Sequence, residues 1–285
     1  MDREGVVIGI GFMQGRLCDC VDGKIQAFPW RDWESEFPAA QRLGLGLMEW
    51  TLDQDRLYEN PLMTDEGRAR IRELSARYGI RVLSLTGDCF MQAPFFKAGG
   101  DASRQELLQD LRAVLDASRQ LGIRYVLIPL VDNGSIETPD HERALVEGLL
   151  PLSELLIGSG MKVVFESDFS AQRLAEFMEQ FPGDAFGINY DIGNSASLGY
   201  LPADEITAYG HRIDNVHVKD RLLRGTTVAL GTGNADFQGV FDALRKIGYA
   251  GNFILQTARA DNRDHAGVLA RYRDMTLSWW SEHGS

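Results

Sequence analysis

The sequence predicts a single (β/α)8 TIM barrel that spans residues 1–285. Short apolar runs typical of buried parallel strands alternate eight times with helix candidates, with one strand–helix unit per roughly 35 residues. No linker, low-complexity stretch or shift in composition divides the chain. A doubly wound open sheet would carry phosphate-binding glycines in the turn after its first strand, whereas Gly9-Ile10-Gly11 lies inside the first strand candidate. The barrel is therefore the favoured fold.

The strand candidates are short and largely apolar, and the continuous run Val163-Val164-Phe165 is typical of a buried parallel strand. Gly9 and Gly11 in the first of them suit a tight barrel interior, which leaves no room for a side chain. In chain order the candidates are Val6–Phe12, Leu45–Trp50, Ile80–Leu85, Ile123–Val131, Met161–Ser167, Ala185–Tyr190, Ile213–Val218 and Asn252–Leu255.

The helix candidates carry apolar residues at helical spacing and have recognisable ends. Thr64 is placed to cap the helix that Gly79 follows, and Gly44 and Gly122 follow the last turns of two others, as C-terminal glycines do. A long loop, residues 219–235, separates strand seven from the next helix. The predicted helices are Trp33–Leu43, Thr64–Tyr78, Ser103–Leu121, Asp140–Ser159, Ala171–Phe181, Ala203–Gly210, Phe237–Ile247 and Ala266–Ser281.

Composition excludes several classes of function. The chain has 285 residues and a formal charge of −12 with no Lys/Arg-rich block, so its surface repels phosphate backbones and nucleic acid is not expected as a partner. No targeting or membrane-spanning segment is evident. Three cysteines fit a reducing cytoplasm better than a disulfide framework, and Cys18 and Cys20 are expected to be free loop thiols. A cytoplasmic protein is therefore predicted.

Four polar side chains stand where consecutive strand candidates end. They are Glu166, Asp191, His217 and Gln256, spaced 25, 26 and 39 residues apart. Each interval is about one strand plus one helix, so the four groups are expected to meet at the carboxyl end of one barrel. Alternation supports this, because Glu166 shares a strand face with Val164 while Phe165 points the other way. The polar groups are therefore predicted to point into the barrel.

Each of these groups taken alone has a simpler explanation. Glu166 is also compatible with a helix cap or a lysine partner, Asp191 with an Asx turn, and His217 with a hydrogen-bonded core histidine. Gln256 alone says little, because glutamine is an uncommon metal ligand. Their convergence favours a single divalent metal ion held by Glu166, Asp191, His217 and Gln256. Oxygen ligands with one imidazole suit Mn, Mg, Co or Zn, and the sequence does not select among them.

Further candidates surround this site. Glu49 near the tip of strand two and Lys219, two residues beyond His217, are predicted catalytic groups, and Asp88 follows strand three. Arginines on the same rim are candidates to bind an anionic substrate, and aromatic rings of the first long loop suit stacking on a sugar face. The predicted substrate-binding residues are Gln14, Arg16, Trp30, Asp88, Asn194, Arg221 and Arg259. Trp279 and Trp280 are candidates for a contact in a homo-oligomer.

Several motifs resemble the xylose isomerase-like TIM-barrel superfamily, in its sugar-phosphate isomerase/epimerase branch. They are VVFESD around Glu166, Tyr190-Asp191-Ile192-Gly193-Asn194, His217-Val218-Lys219-Asp220 and Gly248-Tyr249-Ala250-Gly251. The opening Met13-Gln14-Gly15-Arg16-Leu17 with Phe28-Pro29-Trp30 is similar to one subgroup of that branch. The similarity extends over essentially the whole chain.

The resemblance implies a Glu–Asp–His–Glu set that binds one divalent cation, with its two glutamates exchanging a proton at the carbon next to a ketose carbonyl. Glu166, Asp191 and His217 match the first three positions, but the fourth is Gln256. An amide oxygen can bind a metal but cannot accept a proton at neutral pH. A symmetrical two-base epimerisation therefore lacks its second base, unless Glu49, Asp88 or Lys219 supplies it.

The expected function is a metal-dependent isomerase or epimerase of a sugar or sugar phosphate. Glu166 would remove a proton next to the carbonyl to give an enediolate, and a single base can return it to the neighbouring carbon. One alternative is a dehydratase or lyase acting on a polyol ketone. Another is a catalytically silent barrel that binds carbohydrate or another protein, for which Gln256 is the best argument. An endonuclease would need a histidine-rich zinc cluster and a basic face, and the chain has five histidines.

Overall fold

The computed structural model describes residues 9–281 and contains a closed barrel of eight parallel strands. Each strand pairs with its neighbour in sequence, and the eighth pairs with the first. This confirms the predicted (β/α)8 TIM barrel. The strands are β1 Ile10–Met13, β2 Leu47–Thr51, β3 Arg81–Thr86, β4 Tyr125–Leu130, β5 Lys162–Ser167, β6 Phe186–Asp191, β7 Ile213–Val218 and β8 Asn252–Leu255.

Eleven α-helices follow among the described residues. They are α1 Glu36–Arg42, α2 Asp65–Tyr78, α3 Asp88–Gln92, α4 Asp101–Leu121, α5 Pro139–Leu149, α6 Ser153–Ser159, α7 Ala171–Met178, α8 Ile192–Leu198, α9 Pro202–Tyr209, α10 Phe237–Lys246 and α11 His265–Ser281. The Thr64 hydroxyl accepts a hydrogen bond from the backbone N–H of Gly67 at 3.1 Å, as an N-cap does. Gly79 and Gly122 end α2 and α4 with left-handed backbone angles, φ 69° and 86°.

One predicted helix is wrong in extent. The segment Asp140–Ser159 was expected to be continuous, but it is divided into α5 and α6 by a single 3₁₀ turn, Leu150–Leu152. Pro151 sits in that turn. Proline lacks an N–H and its ring clashes with the carbonyl four residues earlier, so a straight helix cannot run through it.

Three short elements on the carboxyl side of the barrel were not predicted. Helices α3 and α8 begin directly after β3 and β6. The long loop after β7 contains a small antiparallel hairpin, in which Asp220–Arg221 pairs with Thr227–Val228. The first strand lies later than predicted, at Ile10–Met13, and residues 6–8 of the prediction lie outside the described residues.

The apolar face of each strand packs against the helix layer. Phe165 of β5 lies 5.5 and 5.3 Å, between ring centroids, from Phe177 and Phe181, so it points outward as alternation predicts. At the end of α11, Trp279 stacks on Phe237 with 4.2 Å between ring centroids, and Trp280 lies 5.2 Å from Phe253. These two tryptophans, which the sequence suggested for a contact between copies, pack against α10 and β8 of their own chain.

Strand register sets the height of the polar groups in the barrel. Asp191 on β6 is the direct neighbour of His217 on β7, and Glu166 on β5 is the neighbour of Pro129 on β4. His217 in turn stands opposite Ile254, two residues before Gln256. The carboxyl ends of β5, β6, β7 and β8 therefore bring the four predicted metal ligands to one end of the barrel.

Candidate active site

Glu166, Asp191 and His217 converge within the barrel. One potential ligand atom from each lies within 4.8 Å of the other two, and all three residues are buried. His217 Nδ1 is 3.2 Å from Glu166 Oε2 and 3.7 Å from Asp191 Oδ2. Two carboxylates and one imidazole nitrogen at such distances form a set that could hold a divalent cation.

Glu49 fixes the orientation of His217 by contacting the ring nitrogen that points away from Glu166 and Asp191. His217 Nε2 lies 2.6 Å from Glu49 Oε1, and this leaves Nδ1 facing Glu166 and Asp191. Glu49 also accepts hydrogen bonds from Thr86 and Asn215 and is fully buried. Burial alone would lower the pKa of His217, but the carboxylates of Glu49, Asp191 and Glu166 together raise it well above its ordinary value.

Two buried atoms of this group make no well-aligned hydrogen bond, although Lys219 Nζ lies 2.6 Å from one of them and Glu166 Oε2 lies 3.2 Å from the other. They are His217 Nδ1 and Asp191 Oδ2, the atoms that face the centre of the cluster. The other oxygen of Asp191 accepts the backbone N–H of Asn194 at 2.8 Å, so the Asx turn and the inward-facing oxygen coexist. Both atoms point into the cluster formed with Glu166, and a bound divalent cation would contact both, so the residues present fit a metal ion.

Glu166 is held by amide groups from the neighbouring strand and helix. Asn189 on β6 donates to Oε2 at 3.0 Å, and Asn194 on α8 donates to Oε1. Asn194 in turn accepts a hydrogen bond from Arg221 at 2.8 Å. These contacts hold the carboxylate in one orientation at the floor of the cavity described below.

Lys219 and Gln256 complete the ring of polar groups. Lys219 Nζ lies 2.6 Å from Asp191 Oδ2 and donates to Gln256 Oε1 at 2.9 Å. The amide nitrogen of Gln256 donates to Gln26 Oε1 at 2.9 Å. Burial would raise the pKa of Asp191, but Lys219 and His217 outweigh it and lower the pKa to about 2. Asp191 is therefore ionised at neutral pH.

A cavity of about 460 Å³ opens above these residues at the carboxyl end of the barrel. It is lined by charged and amide side chains on the side of β7 and β8 and by Asp132 and Asp168 on the side of β4 and β5. Seven of the predicted site residues line it, namely Arg16, Asp88, Glu166, Asn194, Lys219, Arg221 and Gln256.

Three other predicted substrate-binding residues are engaged elsewhere. Arg259 donates to the carbonyl oxygens of Gly15, Cys18 and Ile25, and so fastens the loop after β1. The Trp30 ring lies under the guanidinium of Arg56, 3.8 Å from its centroid. Gln14 is fully buried, and its side-chain oxygen accepts the N–H of Thr51. The contacts of all three are with the protein itself.

Gln26 joins two walls of the cavity and was not among the predicted site residues. It belongs to the loop between β1 and α1, and its amide nitrogen donates to Asp88 Oδ2 at 2.6 Å. Its oxygen accepts from Gln256 and, at 3.2 Å, from Arg16. No sequence signal marks this residue, because it lies in a loop without periodicity. Burial raises the pKa of Asp88 to about 7.

None of the helices described, within residues 9–281, combines the length and apolar character required to cross a bilayer.

Relatives with assigned activities include sugar-phosphate epimerases. The L-ribulose-5-phosphate 3-epimerase UlaE of Escherichia coli O1:K1 / APEC is 25% identical over 264 residues, which cover 88% of this chain and 91% of that protein. UlaE of Escherichia coli K12 / DH10B is 24% identical over the same length.

Solved structures share the fold at lower identity. A zinc-bound IOLI protein matches with a TM-score of 0.74 and 17% identity, covering 98% of this chain and all of that one. The D-psicose 3-epimerase of Clostridium cellulolyticum H10, solved with D-tagatose, matches with a TM-score of 0.73 and 13% identity, covering 96% and 99%. The xylose isomerase-like TIM barrel family matches residues 37–273 of this chain. The protein described here therefore belongs to the xylose isomerase-like TIM barrel family.

Proposed function

We propose that this protein is a divalent-metal-dependent epimerase or isomerase that removes a proton from the carbon next to the carbonyl of a ketose or ketose phosphate. The observation that carries the proposal is the convergence of Glu166, Asp191 and His217, with potential ligand atoms within 4.8 Å of one another, beneath an open polar cavity. Related proteins named as 3-epimerases of ribulose 5-phosphate and psicose support the choice of substrate.

Asp191, Glu166 and Nδ1 of His217 would hold the metal. When bound, such an ion polarises a substrate carbonyl and its adjacent hydroxyl, which acidifies the intervening C–H. Glu49 acts through His217. Its carboxylate accepts a hydrogen bond from Nε2–H and so favours the tautomer in which Nδ1 is available to the metal. Because Glu49 is fully buried and bonded to protein groups, we assign it a positioning role in place of the catalytic role suggested by the sequence.

Glu166 is the general base in this proposal. It lines the cavity, and hydrogen bonds from Asn189 and Asn194 hold its two oxygens without supplying a proton. Lys219 balances the charge of Asp191 and is placed to donate a hydrogen bond to a substrate oxygen that carries negative charge in the enediolate. Arg16 and Arg221 are the other cations on the cavity wall and are candidates to bind a substrate phosphate or hydroxyl groups.

Gln256 is better explained as a partner of Lys219 than as a metal ligand. Its oxygen faces the Lys219 ammonium and its nitrogen faces Gln26, so both ends of the amide are engaged. A glutamate at this position would place a carboxylate where the amide now donates to Gln26 Oε1. The resident ion would then be held by three side chains with open positions for substrate, as in other catalytic metal sites.

The test is proton exchange in deuterium oxide. The metal-loaded protein is incubated with L-ribulose 5-phosphate, L-ribulose, D-psicose and D-tagatose, and deuterium at the carbon next to the carbonyl is followed by NMR. We expect incorporation together with a new epimer or an aldose. An unsaturated product would instead assign the dehydratase activity. Absence of exchange with every ketose, together with a failure to retain any divalent metal, would overturn the proposal in favour of a binding protein.

A further inference from the structure

Asp88 lies on the wall of the cavity that faces Gln256. It begins α3 directly after β3, is 6% exposed and lines the same cavity as Glu166. No hydrogen bond joins Asp88 to the Glu166, Asp191 and His217 cluster among the described residues. Its side chain is instead tied to the loop after β1 through Gln26.

A continuous chain of hydrogen bonds leads from Asp88 to position 256. The amide nitrogen of Gln256 donates to Gln26 Oε1 at 2.9 Å, and the amide nitrogen of Gln26 donates to Asp88 Oδ2 at 2.6 Å. Asp88 therefore lies one side chain away from the position where the family resemblance implies a second glutamate. The oxygens of Glu166, by contrast, are fixed by Asn189 and Asn194 on the β6 side of the barrel. The two carboxyl groups reach the cavity from different walls.

We propose that Asp88 is the second acid–base group of this enzyme and replaces the glutamate that is absent at position 256. The inference rests on the proposed function and extends it by naming the residue that delivers a proton to the opposite face of the substrate. The pKa of about 7 that burial confers on Asp88 suits a group that must both give and accept a proton near neutral pH.

The proton balance of the step is complete with these two groups. Glu166 takes the proton from the carbon next to the carbonyl, and the C–H electron pair is delocalised into the enediolate. The O–H bond of protonated Asp88 then breaks as a new C–H bond forms on the other face. Asp88 is left as a carboxylate and Glu166 as a carboxylic acid, and a proton passed between them through water restores the starting state. No other reactant is required.

The alternative is that Asp88 only anchors the loop after β1 through Gln26. The two roles predict different ratios of two measurable half-reactions. An anchoring role affects the removal and the return of the proton together, whereas a second acid–base group affects only the formation of the epimer. Wash-out of deuterium into unconverted substrate reports on Glu166 alone, so the ratio of epimer formed to label lost separates the two roles.

The experiment uses the metal-loaded enzyme and a ketose with deuterium at the carbon next to the carbonyl. In Asp88→Asn, which keeps the size and hydrogen bonding of the side chain, we expect epimer formation to fall at least 100-fold, as for loss of an acid–base group. Label wash-out into unconverted substrate should stay within about threefold of the parent, a margin far below the factor typical of acid–base catalysis. Asp53→Asn is the matched control, because the Asp53 carboxylate also anchors the loop after β1, by accepting the N–H of Phe28 at 2.8 Å, and does not line the cavity. Its ratio of epimer formed to label lost should equal that of the parent.

A second variant tests the replacement directly. In Asp88→Asn combined with Gln256→Glu, we expect epimer formation to recover at least tenfold over Asp88→Asn, because the carboxyl group returns at the other end of the same hydrogen-bond chain. Thermal unfolding of each variant verifies the fold. If Asp88→Asn leaves the ratio of epimer to wash-out unchanged while the parent epimerises, the role of Asp88 is refuted and the proposed function stands. If the parent protein washes out no label from any ketose, the proposed function fails and this inference fails with it.

Discussion

The two sides of the cavity are built in different ways. On the side of β5, β6 and β7, the reactive groups belong to the strands or their immediate ends and are aligned by strand register, as the pairing of Asp191 with His217 shows. On the side of β8, β1 and β3, the groups are joined through Gln26, which belongs to a long loop. The strand side has the ligand set expected of the family, and the loop side departs from it at Gln256. Under the proposed function, metal binding is assigned to the strand side and the return of the substrate proton to the loop side.

The largest effect is expected on the strand side, at Glu166. Replacement by glutamine keeps the hydrogen bond that Asn194 can donate to a side-chain oxygen but removes the base. We expect the rate of deuterium exchange to fall by about 10³-fold, within the range for loss of a general base. Exchange kinetics of the metal-loaded variant provide the measurement. A variant that exchanges like the parent would assign the base to the loop side instead.

Metal binding should stabilise the protein and should depend on Asp191. With Mn²⁺ at 100 times its dissociation constant, the free energy of unfolding should rise by about 2.7 kcal/mol, because the ion binds only the folded chain. Differential scanning calorimetry with and without the ion measures this gain. Asp191→Asn should lose most of it. Equal stabilisation of parent and variant would show that the ion binds elsewhere.

Glu49→Gln tests whether Glu49 fixes the orientation of His217. Loss of the carboxylate that accepts a hydrogen bond from His217 Nε2–H should weaken Mn²⁺ binding by about 10–100-fold, as for other groups that orient metal-bound histidines. Activity at saturating metal should stay much closer to that of the parent. Calorimetric titration gives the dissociation constant. A large loss of turnover with unchanged metal affinity would return Glu49 to the catalytic role suggested by the sequence.

Glu36, on the loop side, should make the free energy of unfolding fall as the pH rises. Glu36 is buried and holds the loop after β1 by accepting the N–H groups of Gly15 and Leu17, and burial raises its pKa from 4.5 to about 7. Between those two values the folded state binds more protons than the unfolded state, so the free energy of unfolding decreases with increasing pH. We expect Glu36→Gln to reduce this decrease by roughly 1–3 kcal/mol, measured by urea unfolding between pH 4.5 and 7.5. An unchanged pH dependence would show that Glu36 is ionised throughout.

A smaller effect on catalysis than that of Glu166→Gln is expected from Gln26→Ala. This change removes the bridge between Asp88 and Gln256 while leaving every group of the strand side intact. We expect metal affinity to be unchanged and epimer formation to fall by roughly tenfold, the equivalent of one hydrogen bond to a charged group. The measurement combines metal titration with product formation. A loss of metal affinity would show that the two sides are not independent.

The features that were predicted correctly are those set by local patterns that repeat along the chain. Apolar runs and helix signals predicted the barrel, and polar groups at consecutive strand ends predicted that Glu166, Asp191 and His217 would meet. The predicted continuous helix over 140–159 is wrong, because Pro151 divides the segment. Helices α3 and α8 and the hairpin after β7 were not predicted. These elements are short and lie in connections, where periodicity carries little information.

By itself the sequence determined the fold, the barrel end that carries the site and the departure at position 256. These follow from side-chain alternation and strand order, which are local properties of the chain. Only the tertiary structure decided that Glu49 lies behind His217, that Arg259 and Trp30 hold loops, and that Gln26 connects Asp88 to Gln256. These contacts join residues far apart in sequence, and Gln26 reaches Gln256 from a loop whose path depends on how it packs against the finished barrel. No local pattern encodes such a path.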